Sequence, residues 1–306
     1  MNTIQQGLLG EIAGITDLPT GGAFNIRLDG KSIGSASSKN INIVFKEAGS
    51  GMDIFIAPGT VGETVYIPVV LSQTGHRETV YNDFHVGKGA DVTIVAGCGI
   101  HNDGPTASQH DGIHSFYLAE GSRVTYIEKH CGTGGASGGR ILNPVTNAFL
   151  EAGSYMLMDT IQTEGVDSTK RETNVEVADD ATLVIKEKLM TYDEQSAGTR
   201  FLVNLNGRGS SCNVASRSVA KDHSKQSFFS VINGNNDCMG HSECDAIIMD
   251  HGVVQAIPEV TTYHSDAQLI HEAAIGKIAG EQIIKLMTLG LDEEEATQQI
   301  IKGFLK

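Results

Sequence analysis

The amino-acid sequence predicts a mainly β protein, a parallel β-solenoid of the β-helix type with a helical hairpin at its C-terminal end. Three observations predict this fold class: a repeat with a period of about 30 residues, apolar residues that alternate with polar ones inside each repeat, and a change to helical spacing after residue 262. We therefore predict an N-terminal lead-in segment (1–19), a β-helix core (20–262) and a C-terminal helical domain (263–306).

One helix and three strands are predicted before the repeat begins. Residues 3–16 carry apolar side chains at an approximate helical spacing, which predicts a lead-in helix before the break at Pro19. From Ala23 onward the apolar residues alternate with a period of two, which is typical of strands. The predicted strands are Phe24–Leu28, Ile41–Phe45 and Met52–Ile56.

A short pattern recurs along the core: a turn residue, a small residue, and then two apolar residues at alternate positions. The small residue falls at positions 90, 122, 154, 181 and 210, so successive copies are 32, 32, 27 and 29 residues apart. Each copy has too few apolar residues to enclose a core of its own, whereas stacked coils bury their inward faces against the neighbouring coils. An antiparallel sandwich also contains short strands, but it does not explain a long and nearly constant period.

The end of the chain changes to helical spacing. Apolar residues from Ile275 to Leu286 predict an amphipathic helix that ends at Gly290. A second helix is predicted with Asp292 at its N-cap position and Glu295 three residues later, which is a capping-box pattern. We expect this hairpin to cap the open end of the solenoid, because a terminal coil otherwise exposes apolar edges.

Composition and charge narrow the function classes. The formal net charge is −15 and no run of Lys and Arg reverses it locally, so a nucleic acid partner is not expected. No basic leader or long apolar run occurs, so we expect a soluble, cytoplasmic protein without a membrane partner. The five cysteines are irregularly spaced, which favours free thiols or metal ligands over disulfides. No phosphate-binding loop occurs, so the chain itself is not expected to hydrolyse ATP.

The densest group of metal-binding residue types lies between Cys238 and Glu272. Iron and zinc prefer thiolate and imidazole ligands, and Cys238-x2-His241-x2-Cys244 has the short spacing that metal sites use. On a strand, however, a step of three residues reverses the face, so only two of these side chains can point the same way. Two interpretations stay open: three ligands come from this run, or Cys244 acts with partners from elsewhere in the chain.

The C-terminal fifth of the chain resembles a known family. The resemblance is carried by Cys244-Asp-Ala-Ile-Ile-Met-Asp, Ala256-Ile-Pro258, Ser265-Asp-Ala-Gln-Leu-Ile-His271-Glu272-Ala-Ala and the final Gly303-Phe304. In order and spacing these segments are similar to the signature of the SufB/SufD family of iron–sulfur cluster assembly scaffolds, and the match is looser upstream. The resemblance implies a right-handed parallel β-helix core. The chain looks like a minimal form, without the long N-terminal extension common in the family.

The resemblance also implies site residues. Cys244 matches the family cysteine, and His271 and Glu272 match the His-Glu pair, on which the nascent cluster is built. Cys98, in a Gly-Cys turn, resembles an upstream thiol that receives sulfur before the sulfur passes along the β-helix interior, and His110 falls near a family histidine. Because one chain holds the Cys, His and Glu that heterodimers of the family divide between unlike chains, a homodimer is implied.

Some residues depart from the family pattern or have simpler explanations. Ile270 stands where an acidic residue is usual and Gln255 where a histidine is usual, so the ligand set can differ from that of the family. Alternatively, Glu272 is only the N-cap of the first tail helix. The remaining histidines and cysteines of note are expected to be solvated loop histidines (His101, His114) and structural thiols (Cys131, Cys212).

The expected function is a homodimeric scaffold that builds a transient iron–sulfur cluster from iron and sulfide and passes it to apo-proteins. The resemblance implies that the helical tail docks a SufC-like ABC-type ATPase, that ATP acts only through this partner, and that a sulfur donor serves the scaffold. Two alternatives are a non-catalytic adaptor for an ATPase and a β-helix lyase or hydrolase. The candidate cleft of such an enzyme would comprise Asp159, Glu164, Asp167, Arg171 and Glu172, but a chain without Trp has few aromatic platforms for a sugar.

Overall fold

Two ten-stranded sheets lie face to face in the computed structural model, which describes residues 1–47, 49–135 and 137–306. From β4 onward the chain alternates between the sheets, apart from the consecutive pair β10 and β11, and strands of neighbouring coils pair in parallel. The result is a β-solenoid of about eight turns followed by two helices. The predicted β-solenoid is confirmed.

The two sheets are named here by their strands. Sheet A contains β1 (Ala23–Leu28), β2 (Lys31–Ala36), β5 (Val61–Leu71), β7 (Asp91–His101), β9 (Arg123–Thr133), β12 (Tyr155–Glu164), β14 (Thr182–Thr191), β16 (Ser211–Ala220), β18 (Met239–Ile248) and β20 (Gln268–Gly276). Sheet B contains β3 (Ile41–Phe45), β4 (Gly51–Ile56), β6 (Arg77–Val86), β8 (Ser108–Leu118), β10 (Arg140–Leu142), β11 (Val145–Leu150), β13 (Ser168–Val177), β15 (Ser196–Leu205), β17 (Lys225–Gly234) and β19 (Val253–Thr262).

The small residues of the sequence repeat lie in the turns that enter sheet A. They are buried and stack directly above one another because the residues that follow them pair in register: Ala90, Ser122, Ser154, Ala181 and Ser210. The same column continues beyond the predicted repeat to Cys238 and Ala267. Cys238 therefore occupies a position of the coil where the turn has room only for a small side chain.

Helix α1 (Thr3–Ala13) covers part of sheet A from outside. It begins with a capping box between Asn2 and Gln5 and ends at Gly14, whose φ of 68° is the left-handed conformation that glycine adopts easily. Its buried residues Leu8, Leu9 and Ile12 pack in one apolar cluster with Phe24, Ile26, Val70 and Cys131. The predicted lead-in helix is confirmed, three residues shorter than expected at its C-terminal end.

The interior of the solenoid has an apolar half and a polar half. Near the turns that enter sheet A, inward positions are apolar, as at Ile94 of β7 and Phe84 of β6. Near the turns that leave sheet A, many inward positions carry buried polar or charged groups, such as Glu128, Arg171 and Glu187. Buried charges are costly unless they are paired, so this polar half is the natural place to look for a site.

The prediction that strands stop after Thr262 is wrong. Strand β20 pairs in parallel with β18, and helix α2 (Gly280–Met287) begins only after it, followed by α3 (Glu293–Phe304). Ile275 therefore belongs to a strand and not to the predicted helix. The capping box between Asp292 and Glu295 at the start of α3 is confirmed. Nowhere in the described ranges is a helix long and apolar enough to span a membrane.

The helical hairpin does not seal the end of the solenoid. Helices α2 and α3 pack against each other. The inward-facing residues Val260 of β19 and Ile275 of β20 remain 44% and 40% exposed. The expected capping role is therefore not met in the single chain, and the last coil keeps an open apolar end.

Candidate functional site

Cys244 lies inside the solenoid near its open end. Its side chain faces inward from β18, where the residue pairs with Ser216 of β16 on one side and Ala273 of β20 on the other. Only 1% of the residue is exposed. Burial raises the pKa of the Cys244 thiol to about 12, and the nearby carboxylates of Glu187 and Asp245 act in the same direction. In this conformation the thiol is protonated at neutral pH.

His271 faces the same interior from the neighbouring strand. It pairs with Ser242 and stands two positions before Ala273, the partner of Cys244. The spacings of a parallel sheet put the Cα atoms of Cys244 and His271 about 8 Å apart. Within the described residues, neither ring nitrogen of His271 has a hydrogen-bond partner. Burial lowers the pKa of His271, and His241 adds to this effect, which favours the neutral imidazole that binds metals.

Glu272 and His241 lie on the opposite, outer face of sheet A. His241 Nε2 is 3.9 Å from Glu272 Oε2, and His241 Nδ1 is 3.2 Å from Asn213 Oδ1. Because residue 272 belongs to β20, the alternative that Glu272 caps a helix is wrong. Successive residues of a strand point to opposite faces, so His271 and Glu272 are separated by the sheet itself.

The run from Cys238 to Cys244 does not converge on one point. Cys238 fills the turn, where its sulfur packs close to Gly234, while His241 points outward and Cys244 inward. In residues 1–47, 49–135 and 137–306 no group of three or more His, Cys, Asp or Glu side chains has the spacing to hold a metal ion. A complete ligand set is therefore not assembled within the described part of a single chain.

Cys98 and His110 meet in a second inner region, near the N-terminal end of the solenoid. Both line a narrow cavity together with His114, Glu128 and His130. Burial raises the pKa of the Cys98 thiol well above its ordinary value, with further contributions from nearby carboxylates. The structure thus brings together the two upstream residues that the sequence analysis names, in a closed and polar chamber.

His114 was expected to be a solvated loop histidine, and this expectation is wrong. It lies in β8, is buried, and its Nδ1 is 2.8 Å from the hydroxyl of Tyr126. Burial lowers the pKa of His114 to about 4, so the ring is neutral at pH 7. His101, at the end of β7, instead lies between Thr133 and Asp103, at 2.9 Å from each.

Buried charged groups connect the two regions. Along sheet A, Glu128, Thr160, Glu187, Ser216 and Cys244 occupy one inward row of paired residues on successive coils. From sheet B, the guanidinium of Arg171 reaches into this row and pairs with both carboxylates. The row therefore forms a continuous polar lining that ends at Cys244.

Close contacts hold this row together. Arg171 Nη1 donates to Glu128 Oε2, and Arg171 Nε lies 3.8 Å from Glu187 Oε1. Glu187 also accepts hydrogen bonds from Thr199 Oγ1 at 2.8 Å and from Ser216 Oγ at 2.6 Å. Sequence reasoning missed Glu128, His130 and Glu187. The sequence does contain a pattern that indicates their burial: each of the three lies two or four residues after an inward apolar residue of the same strand, and so on the same face.

The carboxylate cleft of a polysaccharide enzyme does not form. Arg171 is buried in the interior, whereas its neighbour Glu172 points outward. Asp167 pairs with Arg140 at 2.7 Å, and Asp159 lies 3.4 Å from Lys188 on the outer face of sheet A. Four of the five candidate residues are thus divided between the interior and different outer surfaces, which disfavours that alternative.

The carboxylate of Glu78, at the N-terminal end of the interior, is expected to make the stability of the fold depend on pH. Burial alone raises the pKa of Glu78, but its contacts with His110 and Arg27 outweigh burial and lower it to about 2. Since this is below the unfolded value of 4.5, the ionised carboxylate stabilises the fold above about pH 4.5, and the contribution is lost as the pH falls towards 2. Allowing for partial screening, we expect Glu78→Gln to lower the free energy of unfolding by about 2 kcal/mol at pH 7.

Urea unfolding at a series of pH values measures this effect. The difference between Glu78→Gln and the parent chain should shrink steadily below pH 4.5. Glu120→Gln is the control, because Glu120 pairs with Lys88 on the exposed surface and should change stability by less than about 0.5 kcal/mol. A difference that stays constant down to pH 2.5 would contradict the ionised state assigned to Glu78.

Comparisons with known proteins place the chain in a family. A family model described as the SUF system FeS cluster assembly, SufBD core domain, matches residues 72–304. An iron-sulfur cluster assembly SufBD family protein of Methanothermobacter thermautotrophicus is 29% identical over 233 residues, which are 74% of this chain and 55% of the relative. A SufBD family protein of Pyrococcus horikoshii is 26% identical over 285 residues, 90% of this chain and 84% of the relative. The chain thus spans about half the length of the first relative and most of the second, and it belongs to the SufBD family of iron–sulfur cluster assembly proteins.

Proposed function

We propose that this chain is a scaffold on which an iron–sulfur cluster is built from iron and sulfide and then transferred to apo-proteins. The observation that carries the proposal is His271 with two unused ring nitrogens, on the same inner face as Cys244 and beside the open end of the solenoid. Imidazole and thiolate are suitable iron ligands, and the cluster is cargo in this scheme. The chain itself needs no hydrolytic activity.

A homodimer would complete the site. The open end leaves Val260 and Ile275 partly exposed although both face inward, and β19 and β20 are the terminal strands of their sheets. Unpaired terminal strands favour association with another chain. A second copy across this end would bring two Cys244 thiols and two His271 rings to one interface. It would thereby supply further ligands to a site that the described part of a single chain leaves incomplete.

Sulfur would reach the site through the interior. Five strand spacings separate Cys98 on β7 from Cys244 on β18, a distance of about 24 Å along the solenoid axis. The intervening coils are lined by the buried polar row that includes Glu128 and Glu187. In this scheme the Cys98 thiolate takes the outer sulfur of a donor persulfide, which leaves the donor as a thiolate and Cys98 as a persulfide. Two electrons from an external dithiol reductant then release this sulfur as sulfide, and the polar lining allows the sulfide to move towards Cys244.

A SufC-like ATPase would open the scaffold. Cys98 and Cys244 are both buried, and burial raises the pKa of both thiols, so neither is reactive in the closed state. The helical tail leaves apolar residues such as Ile284, Met287 and Leu289 exposed, which suits a docking surface. ATP bound and hydrolysed by the partner would then drive the rearrangement that exposes these thiols.

A comparison of sulfur sources tests this proposal. We expect Cys98→Ala to lose anaerobic cluster assembly when sulfur comes from an enzymatic persulfide donor, and to keep it when free sulfide is supplied, because sulfide bypasses the transfer step. The sulfide-to-iron charge-transfer absorption reports assembly. Cys131→Ala is the matched control, since Cys131 is a buried thiol that packs under α1 on the outer face of the sheet. Assembly that proceeds equally well with both sources in Cys98→Ala would remove Cys98 from sulfur delivery.

A further inference from the structure

A groove of about 600 Å³ runs along the outer face of sheet B, across β13, β15, β17 and β19. Its centre is Gly198, which pairs with Lys170 on one side and Ser227 on the other. Arg200 lies two residues further along the same strand, and Lys225 lies two residues before Ser227. The alternation of strands turns all of these side chains outward. Sheet spacings place the Cα atoms of the three cationic residues within roughly 8 Å of Gly198.

These cationic residues have no acidic partner in the described part of the chain. The ion pairs of residues 1–47, 49–135 and 137–306 include none formed by Lys170, Arg200 or Lys225. Glu172 is the one carboxylate among the residues that line the groove, and it forms no ion pair there either. In a chain of net charge −15 this is a local reversal of sign. No run of Lys and Arg in the sequence indicates this reversal, because each cation comes from a different coil.

Gly198 keeps the floor of the groove open. Its backbone is not in the left-handed conformation that requires glycine. A Cβ at this position would lie 3.1 Å from Ser227 Oγ, so a longer side chain would project into the groove. Ser196 and Ser227 offer hydroxyl groups along the floor, and Phe229 offers an apolar wall. The groove therefore combines cations, hydrogen-bond donors and an apolar surface.

We propose that this groove binds an acidic segment of a partner protein. Opposite charges at an interface speed association and favour the correct partner, and here the groove is positive on an acidic protein. The groove crosses four strands, a length of about 14 Å, which is enough for four or five residues of an extended peptide. Three cations spread around Gly198 match several carboxylates along a chain better than one compact anion. This inference does not depend on the assembly of a cluster.

The test is a binding titration on the metal-free protein with a fluorescein-labelled peptide, Glu-Leu-Glu-Glu-Phe-Glu, followed by fluorescence anisotropy. We expect the variant K170E/R200E/K225E to weaken binding by about tenfold or more. The matched control K31E/K39E/R77E reverses the same number of exposed Lys and Arg charges elsewhere and should change binding by less than about twofold. Gly198→Gln should also weaken binding, because it fills the floor without changing the charge. Circular dichroism verifies that each variant is folded.

Several outcomes would overturn the proposal. Equal weakening in both charge-reversal variants would show an effect of net charge and not of the groove. Full competition by millimolar inorganic phosphate, or equal binding of the Gln-Leu-Gln-Gln-Phe-Gln peptide, would exclude recognition of an acidic segment. Analytical ultracentrifugation tests a last alternative. If the parent chain self-associates as its concentration rises and K170E/R200E/K225E does not, then the groove binds the acidic start of α3 of a second copy and not a segment of a partner protein.

Discussion

Cys244→Ala is expected to abolish cluster assembly with either source of sulfur, an enzymatic donor or free sulfide. The proposal places Cys244 at the point where the polar interior reaches the open end and His271, so its loss removes a ligand and not merely a delivery step. The measurement is anaerobic reconstitution with ferrous iron, followed by visible absorption and Mössbauer spectra. This pattern differs from that of Cys98→Ala, which free sulfide should rescue.

Cys212→Ala is the control for Cys244→Ala. Cys212 is also buried and lies on the neighbouring strand β16, but it stands four positions before Ser216, the strand partner of Cys244, and so lies nearer the turn that enters sheet A. The Cys212→Ala variant should therefore assemble a cluster as the parent chain does. Normal assembly in Cys244→Ala would remove this residue from the ligand set. Failure of the parent chain, under conditions that load an established scaffold, would favour the adaptor for an ATPase.

Arg171→Met is expected to cause the largest loss of stability, about 3–5 kcal/mol at pH 7. Arg171 is the guanidinium that pairs with both Glu128 and Glu187 inside the solenoid. Burial alone raises the pKa of Glu128, but Arg171 and His130 outweigh burial and hold it well below its ordinary value. Without Arg171 these two buried carboxylates lose their shared cationic partner. Urea unfolding measures the change.

The pH dependence of the same variant identifies the cause. Loss of Arg171 raises the folded-state pKa of Glu128, so the instability should be greatest at high pH and should decrease as the pH falls and the carboxyl takes up a proton. Arg171→Met with Glu128→Gln should recover part of the loss, because the two residues are in direct contact. Lys170→Met, at the adjacent outward position, should change stability by less than about 0.5 kcal/mol. An equal loss of stability in Arg171→Met and Lys170→Met would contradict the buried pairing of Arg171 with Glu128 and Glu187.

The β20 strand shows how a sequence pattern can mislead. Ile275, Ile278 and Ala279 have helical spacing, yet Ile275 is an inward residue of a strand and α2 begins only at Gly280. The repeat was the better guide: its column of small residues continues through Cys238 to Ala267 and so predicts one more coil. When the repeat is extended to Ala267, it also predicts that Cys238 lies in a turn and not in a metal site.

The sequence by itself determined the solenoid, its lead-in helix and the capped α3 helix, because a period of two, a long repeat and a capping box are local patterns that each segment carries alone. It also named Cys98, His110, Cys244 and His271, through their resemblance to the family. Only the tertiary structure decided which side chains meet. Glu128 and Arg171 are 43 residues apart and read as surface charges in the chain, yet they form a buried pair. Lys170, Arg200 and Lys225 likewise come from different coils, and they lie close together around Gly198 only because the coils stack.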